Sequence, residues 1–142
     1  MKGRGEVVAA SLEAWARQDL EGALSFMDDD VVFTFNAGEG QLLLAGACRG
    51  KDEVRRRFQE ILDLFDFQAL VLESLRDDGE TIRTSMLFYY RHKASGLNVE
   101  GRYRQVMRVE HGRIVRVEEF HDAAAVNAFL KLATETAAKG AE

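Results

Sequence analysis

The sequence predicts an α+β fold, with helices on one face of a curved, mostly antiparallel sheet, in a single domain over residues 1–142. Three observations carry that expectation. Apolar residues recur at helical spacing through the first half of the chain, and from Phe67 onward the spacing changes to two. Three turn-forming clusters, Asp77-Asp78-Gly79, Ser95-Gly96 and Glu110-His111-Gly112, cut the alternating part into four strands. The chain has no proline, where average usage of roughly 5% would give about seven, so helices and strand ladders run uninterrupted.

Taken in order, Val8, Leu12 and Trp15 share one face of a helix over residues 6–17. Asp19 is placed to cap a short second helix that buries Leu20, Ala23, Leu24 and Met27. Asp28, Asp29 and Asp30 read as a turn, because acidic residues are unfavourable at a helix C-terminus. A β-branched and aromatic strand follows over 31–35, then a glycine-rich loop over 36–50 around one short apolar strand. A third helix starts near Lys51 and buries Val54, Phe58, Ile61, Leu62 and Phe65, with Arg55, Arg56, Arg57, Glu60 and Asp63 on a solvated face. Strands are expected at about 67–76, 80–93, 98–109 and 113–121, and a last helix over 123–138.

Composition narrows the function. Charged residues at 30% argue against a membrane protein, and 46% hydrophobic against a disordered one. A net charge of −5 provides no broad footprint for nucleic acid or an anionic membrane. Cys48 has no partner for a disulfide and no CxxC spacing, and three histidines without spaced partners predict no metal site. The N-terminal segment lacks the apolar run of a signal peptide, so a reducing cytoplasm is the expected compartment. No nucleotide-binding or hydrolase motif is present, and no cofactor is expected.

Strand parity then separates the sheet's two faces. On the 98–110 strand the odd residues are uncharged and the even ones include Glu100, Arg102, Arg104 and Arg108, so odd residues face inward. On the 80–93 strand Thr84, Met86, Phe88, Tyr90 and His92 oppose Arg83, Arg91 and Lys93, so even residues face inward. On the last strand Val115, Val117, Glu119 and His121 are expected inside, with Ile114 and Phe120 outside. A three-residue 110–112 loop and a two-residue Ser95-Gly96 turn would align Met86–Gln105–Val117, Phe88–Tyr103–Glu119 and Tyr90–Gly101–His121. Arg104 would then face Glu118 on the outer side, and Gly101 would leave a gap beside His121 and Tyr90.

An unpaired buried carboxylate costs several kcal/mol, so this polar group on an apolar face points to a cavity. Glu119 is the candidate acid or base, His121 its orienting or relaying partner, and Tyr103 and Tyr90 the donors to a developing oxyanion. Trp15, Phe33, Phe35, Met86, Phe88, Gly101, Gln105 and Val117 are the expected substrate-binding wall. The plainer reading is a structural Glu–Tyr or Glu–His hydrogen bond near the sheet's end. His92 is expected at the rim, and Cys48 as a small packing residue. The outer arginines alternate with Glu100, Glu110 and Glu118, which reads as a solvated or dimer-facing surface.

Four stretches resemble the SnoaL-like branch of the nuclear-transport-factor-2-like (NTF2-like), cone-shaped α+β superfamily. AWARQDLEGALSFMDDDVVF resembles its helix–helix–strand opening and CRGKDEVRRRF a helix start, while HGRIVRVEEFHD and AAAVNAFL resemble its final hairpin and trailing helix. That superfamily includes ketosteroid isomerases, polyketide cyclases, limonene-epoxide hydrolases and non-catalytic binding modules. The resemblance implies a pocket between the curved sheet and the first helices, and a dimer through the sheet's outer face. Glu119 matches an acidic position used for proton transfer in epoxide hydrolases and phenazine enzymes. Met86 and Phe88 stand where epoxide hydrolases carry Arg-x-Asp, and Phe33 and Phe35 where they carry Tyr-x-Asn, so that reaction is not implied.

The expected function is cofactor-free proton transfer of the isomerase, cyclase or hydratase type on a small, apolar, cyclic molecule. A non-catalytic ligand-binding or dimerisation module is the alternative. In either case a homodimer is expected through Leu87, Tyr89, Val106 and Phe120.

Overall fold

A computed structural model describes residues 3–36 and 46–140. Its chain order is α1 (Arg4–Ala16), α2 (Leu20–Leu24), β1 (Met27–Asn36), β2 (Gly46–Arg49), α3 (Lys51–Leu64), β3 (Phe65–Asp77), β4 (Ile82–His92), β5 (Asn98–Glu110), β6 (Arg113–Phe120) and α4 (Ala123–Gly140). The sheet runs β2-β1-β6-β5-β4-β3 and is antiparallel except where β1 lies parallel to β6. The α+β class and the element order therefore hold. The apolar strand expected near residues 41–45 lies outside the described residues.

Local chemistry sets the first three elements. Val8, Leu12 and Trp15 are buried on α1, joined by Val7, Ser11 and Ala14. Asp19 caps α2 as expected, its Oδ1 accepting from Gly22 N–H at 3.0 Å. A Cβ on Gly22 would collide with the Asp19 carboxylate, so the missing side chain is what lets the cap fold over. The aspartate run belongs to β1 rather than to a turn. The β1–β6 register breaks between Met27 and Val32, and Asp30 N–H closes on Asp28 Oδ2 at 2.9 Å. An irregular strand, rather than a helix end, accommodates these three carboxylates.

The hairpins correct the expected registers. Between β4 and β5 the loop holds four residues, not two, because His92 N–H bonds to Leu97 O at 2.8 Å. The His92 ring caps this loop, with Nδ1 2.8 Å from Ser95 Oγ and accepting from Ser95 N–H at 3.3 Å. Met86 therefore pairs with Tyr103, Phe88 with Gly101 and Tyr90 with Val99, a slip of two that leaves every inner side chain inside. Between β5 and β6 the turn is His111-Gly112, with φ of 53° and 76° as a type I′ turn requires. Val109 pairs with Ile114 but Arg108 with Arg116, so Val115 is an extra residue in a bulge. Ile114 is consequently buried, at 1% exposure, rather than outside. Beyond the bulge the expected parity returns: Val117 and Glu119 face inward and Phe120 outward, while Arg104 faces Phe120 instead of Glu118.

His92 is buried rather than at the rim. Its ring meets Phe65 and Phe129 of α4 edge-on, with centroids 5.5 and 6.1 Å away. Burial holds its pKa below the ordinary histidine value. The unfolded chain therefore binds a proton at this residue that the fold resists, and stability is lost as pH falls below about 6.5. Denaturation midpoints at neutral and mildly acidic pH should differ less for His92→Asn than for the unaltered protein. An equal acid-side loss in both would assign the effect elsewhere.

Candidate functional site

The inner face of the sheet, closed by α1, α2, α3 and α4, surrounds a cavity of about 130 Å³. Its wall is overwhelmingly aromatic and aliphatic. Trp15 on α1 lies 4.5 Å from the Phe58 ring on α3, and Phe58 meets Phe33 edge-on at 5.2 Å. Phe33 stacks on Phe35 at 4.5 Å, while Phe88 and Tyr90 lie 4.9 Å apart on β4. Offset and edge-on rings of this kind pack well, and they leave a rigid, dry surface.

Polar groups enter the wall from β4, β5 and β6. Glu119, 7% exposed, directs both carboxylate oxygens to donors. Gln105 Nε2 donates to Oε1 at 2.8 Å, and His121 Nε2 lies 2.7 Å from Oε2. Thr84 Oγ donates to Gln105 Oε1 at 3.0 Å. Since a carboxylate only accepts, Gln105 must turn its NH₂ toward Glu119, and the Thr84 hydroxyl satisfies the carbonyl left behind. The row Thr84–Gln105–Glu119 follows from the observed register, in which Thr84 faces Gln105 and Gln105 faces Glu119. His121 lies just past the end of β6, held by its backbone N–H to Asn36 O at 3.1 Å. Its ring leans on Tyr103, with centroids 4.8 Å apart.

Tyr90 and Tyr103 are the second polar element. Burial pushes both phenols well above their ordinary pKa, and the Glu119 charge adds to the shift at each. They stay protonated across the physiological range and present O–H donors to the cavity.

Of the residues singled out from sequence, Glu119, His121, Tyr103, Tyr90, Trp15, Phe33, Phe35, Phe88, Gln105 and Val117 all line the cavity. Met86 and Gly101 are not among the lining residues. Met86 is buried at 1% exposure within the sheet's packing. Gly101 opens no gap, because the Phe88 ring lies on it; a Cβ there would stand 2.9 Å from Phe88 Cζ. Sequence reasoning missed Phe58, Ile61 and Phe65 as wall residues, although their spacing marked them for burial, and it missed Phe129 on α4. Cys48 is buried, and desolvation raises its thiol pKa, which makes it a poor nucleophile. Among the described residues, no group of three or more His, Cys, Asp or Glu is placed to hold a metal. No described helix is long and apolar enough to cross a membrane.

A profile for the SnoaL-like domain matches residues 8–117. An NTF2-like protein from Burkholderia thailandensis E264 is 26% identical, with a TM-score of 0.80 over 92% of this chain and 98% of its own. TerC, crystallised with polyporic acid, superposes with a TM-score of 0.75 at 20% identity, over 91% of this chain and 96% of its own. A Catenulispora acidiphila DSM 44928 protein of ketosteroid isomerase-like fold, in complex with trimethylamine, superposes with a TM-score of 0.74 at 11% identity, over 87% and 90%. At those two identities the likeness is one of fold. No curated protein matches the sequence. The sheet order and the matched span agree, and the chain belongs to the SnoaL-like domain family, with the NTF2-like fold.

Proposed function

We propose that the chain is a small-molecule pocket enzyme performing cofactor-free acid–base proton transfer, of the isomerase, cyclase or hydratase type, on a small apolar cyclic molecule. The observation that carries this reading is a carboxylate bonded at both oxygens, beside two protonated phenols, inside an otherwise apolar cavity. Glu119 accepts the proton, His121 and Gln105 hold its two oxygens in place, and Tyr103 and Tyr90 donate to the oxygen on which charge develops. Met86 and Gly101 act behind the wall: Met86 as packing, and Gly101 by letting the Phe88 ring lie flat. TerC and the Catenulispora protein carry small ligands on this same fold, which supports a ligand-binding role for the cavity.

Hydrogen–deuterium exchange in D₂O tests the reaction class without a known substrate. Small cyclic ketones should exchange their α-hydrogens in the presence of the protein, followed by NMR. Glu119→Gln should slow that exchange by about 10²–10⁴-fold, the usual contribution of a positioned acid or base. Undiminished exchange by the variant would remove Glu119 from the mechanism.

One observation favours a second reading, a non-catalytic binding module. Thr84, Gln105, Glu119 and His121 satisfy one another without any ligand, as a purely structural network would. Absence of exchange in the unaltered protein, together with retained ligand binding, would select it. In both readings the chain works in the cytoplasm as a homodimer through the outer sheet face, where Tyr89 is 38% and Phe120 43% exposed and Leu87 and Val106 are partly so.

A further inference from the structure

We propose that the occupant of this cavity is a single-ring, uncharged molecule bearing one hydroxyl or carbonyl oxygen, and that the site rejects both anions and polycyclic compounds. The inference rests on the pocket reading above and deepens it by naming the ligand class.

Size is the first constraint. The cavity holds about 130 Å³. An apolar protein cavity of roughly 150 Å³ takes one benzene, whereas sites for drug-sized ligands run to roughly 300–1,000 Å³. One ring with a small substituent therefore fills this space. The wall cannot widen cheaply, because Trp15, Phe58, Phe33 and Phe35 each pack against another ring of the set.

Charge is the second. Among the described residues, those that line the cavity include no Arg or Lys. The imidazole of His121 is already engaged by Glu119 at 2.7 Å. An entering carboxylate or phosphate would be desolvated with no counter-charge among the described lining residues and would face the Glu119 carboxylate in a low-dielectric space. The same Glu119 charge already disfavours ionisation of Tyr90 and Tyr103. A neutral oxygen meets the opposite situation, since it can accept from a phenol O–H or, as a hydroxyl, donate toward the carboxylate.

Trp15 lines the cavity and is the only tryptophan in the chain, so its fluorescence reports occupancy directly. The probes are phenol, benzoate and the three-ring 9-phenanthrol, titrated against the unaltered protein and against Glu119→Gln. Phenol should bind with benzoate on the order of tenfold or more weaker, and 9-phenanthrol should show no saturable binding. Glu119→Gln should narrow the gap between phenol and benzoate several-fold while leaving 9-phenanthrol excluded. Benzoate binding as well as phenol, saturable binding of 9-phenanthrol, or no binding of phenol would each overturn the assignment. A protein that shows the expected binding order but no deuterium exchange keeps this inference and loses the catalytic one. Exchange with the wrong binding order does the reverse.

Discussion

Replacing His121 by phenylalanine should destabilise the fold by about 2 kcal/mol, within the usual range for leaving a buried hydrogen-bonding group without its partner. Glu119 Oε2 would lose the donor 2.7 Å away, while Oε1 kept its bond from Gln105. The cost is moderate because the pair is not sealed: the His121 side chain keeps 18% exposure and that of Glu119 keeps 9%. Packing alone should change little, since a phenyl ring can occupy the place against Tyr103 and Phe88 that the imidazole holds. Adding Glu119→Leu to His121→Phe removes the stranded carboxylate and should restore part of the loss, the remainder being the buried Gln105 amide left without its acceptor. Urea denaturation of the four proteins in the cycle provides the coupling energy directly. If His121→Phe alone were as stable as the starting protein, the bond between these residues would contribute nothing to the fold. The double variant would in either case lack the carboxylate required for proton transfer.

How far this arrangement could be read in advance depends on which structural variable each residue obeys. Facing direction was legible, because charge alternates along β5 and β4, and a one-residue error there would bury Arg102 or Arg91. Glu119, His121, Tyr103 and Tyr90 were therefore placed on the correct face. Register was not legible, because it depends on loop length. The four-residue loop after His92 moved β5 by two residues, a change that parity cannot detect. The two-residue turn at His111-Gly112 turned Ile114 inward opposite Val109, and the bulge at Val115 restored the inward direction of Glu119. Gly101 was misread because a missing Cβ says only that something comes close, and the Phe88 ring is what does. A detectable signal was overlooked at Thr84. A buried threonine facing a buried glutamine across a strand pair needs a reciprocal hydrogen bond, and that bond fixes the Gln105 amide toward Glu119.

Phe58→Ala should cost about 3–5 kcal/mol, as removal of a fully packed phenyl side chain usually does. Phe58 is 4% exposed and, with Val54, is one of the two fully buried side chains of α3. Its ring lies against Trp15 from α1 and against Phe33 and Phe35 from β1, at 4.5, 5.2 and 6.5 Å between centroids. Phe33 stacks on Phe35 and Trp15 meets Phe67 edge-on, so these partners are poorly placed to collapse into the vacated volume, and the residual space should merge with the existing cavity. The expected result thus has two parts that distinguish an enlarged pocket from simple loosening. Urea denaturation should show the loss of stability, and 2-naphthol, a two-ring probe, should restore more of it in Phe58→Ala than it adds to the unaltered protein. Equal stabilisation of both proteins would mean that the wall had closed over the gap. That outcome would place the ligand's size limit elsewhere than in the Trp15–Phe58–Phe33 contact.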